Sequence, residues 1–326
     1  MKIKNEQPGK DYRLLNPSDT LRILYSEVLK QGKWEFNKKN EEVKTDWWYQ
    51  SHNNYEKNIA LLFGKFIPET LISKEVEENK GKFLEFIVKE FDNFQKKSNL
   101  TNLFLERNKY ILEVIKKDYF IENFSATLSW RMVIGLGASH PQETSMTLHH
   151  IYGIPYIPAS AVKGVTRHWM ILKFAGELAK SNDYDIKKAI EELQKKLENG
   201  DKSFNFSVNN INFQDLINIF GTQKEAGKII FFDAYPVGEI KLKLDIMNPH
   251  YPDYYSGNTP PADWQSPVPI KFLTVEKTKF SFYLAAKKDA QDLLNTAATW
   301  LKEALENYGI GAKTSLGYGI FNHLEG

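Results

Sequence analysis

Near its end the chain runs from a helix into a cluster of glycines and out along a strand, and that order constrains its fold more than any other feature. The helix is DAQDLLNTAATWLKEALENY, residues 289 to 308, in which Leu294, Ala297, Leu301, Ala304, Leu305 and Tyr308 recur at three- and four-residue steps. Asp289 is expected as its N-cap and Gly309 as its C′ residue. GIGAKTSLGYGIF follows, residues 309 to 321, placing Gly309, Gly311, Gly317 and Gly319 around Lys313, Thr314 and Ser315, with a closing strand expected from Gly317 to Phe321. Glycine beside lysine and hydroxyls suits a phosphate. Two nucleotide loops are nevertheless excluded: the P-loop needs an adjacent Gly-Lys pair where this chain has Ala312-Lys313, and the dinucleotide fingerprint meets Thr314 where its third glycine belongs. Both loops also run from a strand into a helix, the reverse of the order here. Two readings remain at this point: a helix cap with a plain turn, or a cradle for a polyanion backbone.

The chain has 326 residues, 42% hydrophobic and 13% aromatic, enough for one large core or two moderate ones. Its net charge is only +2, so a polyanion site must be a local patch and not a global field. Lysine supplies most of the positive charge, with arginine only at Arg13, Arg22, Arg107, Arg131 and Arg167. The absence of cysteine removes disulfides, thiolate zinc sites and cysteine nucleophiles together. The polar start and the lack of a membrane-length apolar run lead to the expectation of a soluble, cytoplasmic protein with no membrane partner.

Residues 1 to about 122 are expected as a helical N-terminal region, with helices near 18 to 31, 54 to 64, 82 to 97 and 101 to 117 and an aromatic cluster at Trp47, Trp48 and Tyr49. Residues 123 to 326 read differently. ATLSWRMVIG alternates Leu128, Trp130, Met132 and Ile134 against Thr127, Ser129, Arg131 and Val133, as a half-buried strand does. A helix at 160 to 180, a charged helix at 184 to 199, a short helix in FQDLINIFG and a buried strand in KIIFFDAY follow. EIKLKLDIM puts Ile240, Leu242, Leu244 and Ile246 on one face, and IKFLTVEKT and KFSFYLAA are further strands. Residues 249 to 269 hold six prolines and no period, so they form a long excursion. Strands mixed with two principal helices, without βαβ alternation, give an α+β fold.

The stretch 135 to 169, GLGASHPQETSMTLHHIYGIPYIPASAVKGVTRHW, carries the chemistry. Pro155 and Pro158 hold the approach extended, and Ser160 is expected to cap a helix that begins AVKGVTRHW. Lys163 and Arg167 are four residues apart on one face, and Gly164 lets a bulky partner approach the backbone. A solvent-facing basic pair on an amphipathic helix has the same appearance.

This stretch resembles the helix-opening signature of the RAMP superfamily of CRISPR proteins, and GIGAKTSLGYGIF is similar to the glycine-rich loop that closes the same fold. IFGTQKEAGKIIFFDAYP and LDIMNPHYPDYYSGNTPPADWQSPVPIKFLTVEK resemble, in order, the Cmr (type III-B) branch of that superfamily. The likeness spans about residues 124 to 326, and Ala159-Ser160 stands where the family usually has Gly-Ser. The resemblance implies a ferredoxin-like (RRM-like) core with an antiparallel sheet, a helical N-terminal region, and a thumb-like insertion at 249 to 269. It also implies a non-catalytic scaffold subunit of an RNA-guided antiviral effector that holds the 3′ part of the guide RNA. The partners it implies are the guide RNA and its target RNA, the backbone RAMP subunit and the other capping RAMP subunit, with no cofactor and no metal. The expected RNA contacts are Ser160, Lys163, Gly164, Arg167, Gly309, Gly311, Lys313, Thr314, Ser315, Gly317 and Tyr318, with His149, His150, Tyr254 and Trp264.

The rival reading is a RAMP-type endoribonuclease. His140, His149 and His150 cluster with Glu143 in one loop, and His149 with Glu143 could do acid-base work. Their spacing matches no zinc signature, and Asp233 and Asp245 have no paired motif.

Overall fold

The computed structural model describes residues 58–64, 77–97, 100–140, 143–182, 185–208, 211–248, 257, 260 and 269–325. The helix expected at 18 to 31, the Trp47–Trp48–Tyr49 cluster and most of the 249–269 excursion, with Tyr251, Tyr254, Tyr255 and Trp264, lie outside the described residues. In chain order the elements are α1 (Ile59–Gly64), α2 (Glu77–Lys97), α3 (Leu100–Ile115), β1 (Tyr119–Leu128), β2 (Arg131–Met132), α4 (Ala159–Asn182) and α5 (Ile186–Asn199). They continue with β3 (Ser207–Val208), β4 (Ile211–Asn212), α6 (Phe213–Phe220), β5 (Ile229–Phe231), β6 (Tyr235–Val237), β7 (Leu242–Met247), β8 (Ile270–Glu276), β9 (Lys279–Lys287), α7 (Gln291–Asn307) and β10 (Phe321–Glu325). The described residues fall into two units, one from within 58–97, 137–154 and 242–273, the other from within 100–136, 155–241 and 274–325.

The second unit is built on an antiparallel sheet. β1 lies between β9 and β10, and β5 and β6 both pair with the far side of β9. With α4 between the first and second strand positions and α7 between the third and fourth, this is the β-α-β-β-α-β order of the ferredoxin-like motif. Register sets the core: Phe124 faces Phe282 across β1 and β9, their rings stack at 5.2 Å, and Phe321 of β10 meets Phe282 edge-on at 5.5 Å. The apolar stripe read from the sequence covers this sheet, because Leu294, Ala297, Leu301, Ala304 and Leu305 of α7 are all buried and α7 packs on β1 and β9. Each such leucine contributes about 2 kcal/mol by leaving water.

Several boundaries differ from expectation. β1 starts at Tyr119, so the limit expected near residue 122 falls inside a strand. ATLSWRMVIG is not one strand: the chain bends at Ser129–Trp130, and β2 then pairs with β8 through Arg131↔Glu276 and Met132↔Val275. Trp130 is carried to the surface by that bend and is 41% exposed. Asp289 does not cap α7, since it sits in a 3-10 turn, Lys288–Ala290, and Ala290 takes the cap position without a side-chain bond. The closing strand begins at Phe321 and not Gly317, because Thr314–Leu316 form a 3-10 turn and Gly317 and Gly319 have φ of 91° and 70°, outside any strand. On EIKLKLDIM the common face holds only at its start, with Ile240 and Leu242 buried and Ile246 53% exposed.

In the first unit α1 is shorter than expected because Asn58 starts it: its Oδ1 accepts the N–H groups of Ala60 and Leu61 at 2.9 and 3.3 Å. Phe83, Leu84, Ile87 and Phe91 form the buried stripe of α2, which packs on β7. Phe86 is only half-buried, one position off that stripe.

Candidate nucleic-acid interface

Helix α4 opens where the sequence places it but is capped differently. It begins at Ala159, so Ser160 lies inside the first turn, exposed, and is not the cap. The carbonyl of Pro158 accepts the N–H groups of Ala161 and Val162 at 2.8 and 3.1 Å, and Asp233, from the loop between β5 and β6, accepts the Ala159 N–H at 2.6 Å. The other oxygen of Asp233 accepts the Tyr235 hydroxyl at 3.2 Å. Tyr235 stacks against Tyr156 at 5.6 Å and packs on Phe104 at 4.3 Å, while burial and the Asp233 charge raise the Tyr156 phenol above its usual range. Asp233 is visible in the sequence only as an unpaired carboxylate; its role at the start of α4 is not, because a lone aspartate in FFDAY gives no spacing signal toward a helix over seventy residues away.

Lys163 and Arg167 are half-buried on one face of α4. Burial first, and then the neighbouring Arg167 charge, push the Lys163 ammonium below its usual range. A phosphate beside the two cations would relieve that repulsion. Arg167 also meets Glu198 of α5 at 3.9 Å, a long and partly exposed contact. Gly164 between them is exposed, and a Cβ built on it meets nothing within 4 Å. Further along, α4 is tied to α7: Trp169 donates to Glu303 at 3.1 Å, Lys173 pairs with the same carboxylate, and the His168 ring lies 5.0 Å from Tyr308.

Tyr308 is also the residue from which the glycine-rich loop departs. Gly309, at φ 80°, donates to the Ala304 carbonyl at 2.9 Å and so takes the C′ position expected of it. Gly311 and Gly319 have an internal reason to be glycine: a Cβ on Gly311 would press into the Val133 carbonyl oxygen, and one on Gly319 into that of Ile310. Both therefore serve close approach of the chain to itself. Ala312 and Gly319 donate to the Val133 and Arg131 carbonyls at 2.9 and 2.7 Å, which locks the loop onto the segment after β1. What the loop presents outward is its turn: Lys313 at φ 62°, half-buried Thr314, exposed Ser315 and Leu316, and Gly317, whose Cβ position is open. Tyr318 is 6% exposed and lies under Trp130.

His140, Glu143, His149 and His150 belong to the first unit. His149 Nδ1 accepts the N–H groups of Ile151 and Tyr152, both at 3.3 Å, inside a turn closed by Gly153 N–H to His149 O at 2.7 Å. Asn58 holds the same turn through the His150 and Ile151 carbonyls at 2.7 and 2.8 Å. The His150 ring stacks on that of His149 at 5.2 Å and is exposed. Among the described residues no group of three or more His, Asp or Glu is placed to hold a metal ion, and no helix is long and apolar enough to cross a membrane.

The family model of the RAMP superfamily matches residues 126–322, which include α4 and the glycine-rich loop. The chain belongs to the RAMP superfamily. It is similar to "CRISPR system Cmr subunit Cmr6" of Pyrococcus furiosus, 39% identical over 220 residues, which are 58% of this chain and 64% of that protein. The match thus spans less than two thirds of that relative. A Cmr6 of Saccharolobus solfataricus is 26% identical over 255 residues, 76% of this chain and 74% of the other. A chain in the cryo-EM structure of the Type III-B Cmr-beta bound to cognate target RNA is 24% identical, with a TM-score of 0.53 over 78% of this chain and 76% of that one. That likeness supports the mixed helix and antiparallel-sheet fold.

Proposed function

We propose that this RAMP protein is a non-catalytic, RNA-binding scaffold subunit of a type III-B (Cmr) effector. In this reading it holds the 3′ part of the guide RNA and contacts the backbone RAMP subunit and the other capping subunit. The likeness to Cmr6 supports the assembly, and one observation carries the RNA contact. Gly164, next to Lys163 and three residues before Arg167, stands exposed in the helix with open space where a side chain would be. Helix propensity favours alanine there by about 1 kcal/mol, and among the described residues no packing requires glycine. Close approach of a bulky polyanion backbone does require it. The turn Lys313–Thr314–Ser315 offers a cation and hydroxyls to the same kind of ligand. Contacts of this sort read charge and shape, which suits a guide whose bases must stay available for pairing. The engagement of His149 Nδ1 with the backbone supports a structural role for that ring over acid-base work.

The test uses the full chain and single-stranded RNAs of unrelated sequence. Gly164→Ala should raise the melting temperature while weakening RNA binding several-fold, a pairing that a purely structural glycine cannot give. Unchanged RNA affinity in this variant would remove the argument for α4 as the contact. The wild-type chain should leave all of these RNAs uncut, with or without a divalent metal, and cleavage abolished by Glu143→Ala or His149→Ala would establish the nuclease instead.

A further inference from the structure

We infer that Trp130 is a stacking platform for one nucleobase of single-stranded RNA at the edge of the glycine-rich loop, an inference that rests on the RNA-binding reading above. Tryptophan side chains are highly buried on average, and this one is 41% exposed. It is not loosely exposed. Its carbonyl accepts the Lys277 N–H at 2.9 Å, and the residues on either side are pinned to the strand end that follows the loop, Ser129 N–H to Ile320 O at 2.9 Å and Gly319 N–H to Arg131 O at 2.7 Å. Tyr318, 6% exposed, supports the indole from beneath at 4.8 Å with the rings inclined by 53°. The ring is therefore held rigid by the loop, and ordering it on binding would cost little entropy.

Its surroundings favour a nucleobase over an apolar protein side chain. The Arg131 guanidinium lies over the indole ring, 5.5 Å from its centroid, while its Nε donates to Glu276 at 3.1 Å, so a cation is fixed against the ring where a base and its phosphate would arrive. Lys277 is exposed at the adjoining turn, and Lys313 belongs to the loop on which Trp130 rests. A partly exposed aromatic ring with cations against it is how single-stranded nucleic acid is held without sequence preference: phosphates track the charge while any base can stack. Arg131 was notable in the sequence as one of few arginines, but Trp130 there looked like an inward strand residue, and only the bend after β1 turns it out.

The experiment measures anisotropy of a labelled single-stranded RNA, and of an abasic ribose-phosphate oligomer of equal length, with the full chain. Trp130→Ala should weaken the intact RNA about tenfold. It should leave the abasic oligomer bound as before and the salt slope unchanged, since no charge is lost. Trp130→Phe should keep most of the affinity and Trp130→Leu should not, which separates stacking from bulk if Trp130→Ala fails to fold. Equal losses on both oligomers, or no loss on either, would overturn the inference while leaving RNA binding itself standing. A Trp130→Ala chain that binds RNA normally but no longer joins its partner subunits would make the surface a protein contact. A wild-type chain that binds neither oligomer would defeat the RNA-binding reading itself and this inference with it.

Discussion

Asp233 places a carboxylate oxygen 2.6 Å from the Ala159 N–H, so the anion at the mouth of helix α4 is one that the chain supplies itself. A polyanion bound along this helix must then be held by Lys163 and Arg167 side chains, not by first-turn N–H groups alone. Charged acceptors at helix N-termini are worth about 1–2 kcal/mol. Asp233→Ala should lower stability by that amount, a melting-temperature drop of a few degrees by calorimetry. RNA affinity should stay equal or rise, because a negative charge has been removed. A fall in affinity at unchanged melting temperature would instead put Asp233 in contact with RNA.

The 3.9 Å pair of Arg167 with Glu198 is partly exposed and contributes little to stability, so it can be exchanged for a phosphate at small cost. Glu198→Gln should raise RNA affinity two- to threefold at low salt, with stability changed by less than about 0.5 kcal/mol. Arg167→Lys should lower affinity although charge is kept, since a planar fork is lost. Lys163→Ala combined with Arg167→Ala should weaken binding most and flatten the salt dependence by roughly two phosphates, with the fold intact by circular dichroism.

Much of this was legible from spacing. The stripe from Leu294 to Leu305, the face shared by Lys163 and Arg167, and Gly309 at C′ are local patterns, and local patterns survive folding. What was illegible depends on segments distant in sequence. Asp233 capping α4 and Trp130 turned outward over Tyr318 arise from pairings that no periodicity encodes. Gly311 and Gly319 show the ambiguity most clearly, since a glycine needed for RNA approach and one needed for self-approach look identical in sequence, and here the carbonyls of Val133 and Ile310 decide for the second.

That distinction separates the loop variants. Gly319→Ala forces a Cβ into the Ile310 carbonyl at φ 70° and should destabilise severely, giving insoluble or molten protein. Gly317→Ala meets open space and should cost only about 1 kcal/mol of backbone strain. Lys313 already bears such strain at φ 62°. Lys313→Ala should therefore leave the melting temperature nearly unchanged, weaken RNA by about 1 kcal/mol and reduce the salt slope by roughly one phosphate. Lys313→Gly should show the same RNA loss with a higher melting temperature. Wild-type affinity and slope in both would reduce the loop to a cap and turn.

His140 gives a pH dependence confined to the first unit. Its ring stacks on Phe63 at 4.2 Å with Nε2 3.2 Å from the Phe63 carbonyl oxygen, and burial pushes its pKa below the ordinary 6.5, with the Phe63 bond opposing more weakly. Because the folded-state pKa lies below the unfolded one, the unfolded chain takes up the proton first. The stability that this neutral ring contributes is fully present above about pH 6.5 and is lost as pH falls through the folded pKa. Thermal unfolding between pH 7.5 and 5 should show the wild-type melting temperature falling faster than that of His140→Phe, which keeps an aromatic ring against Phe63 and cannot titrate. The difference between the two chains isolates this group from the other histidines. Parallel curves would mean that His140 carries its proton in the folded protein as readily as in the unfolded one, and that its contact with Phe63 is no barrier to charge.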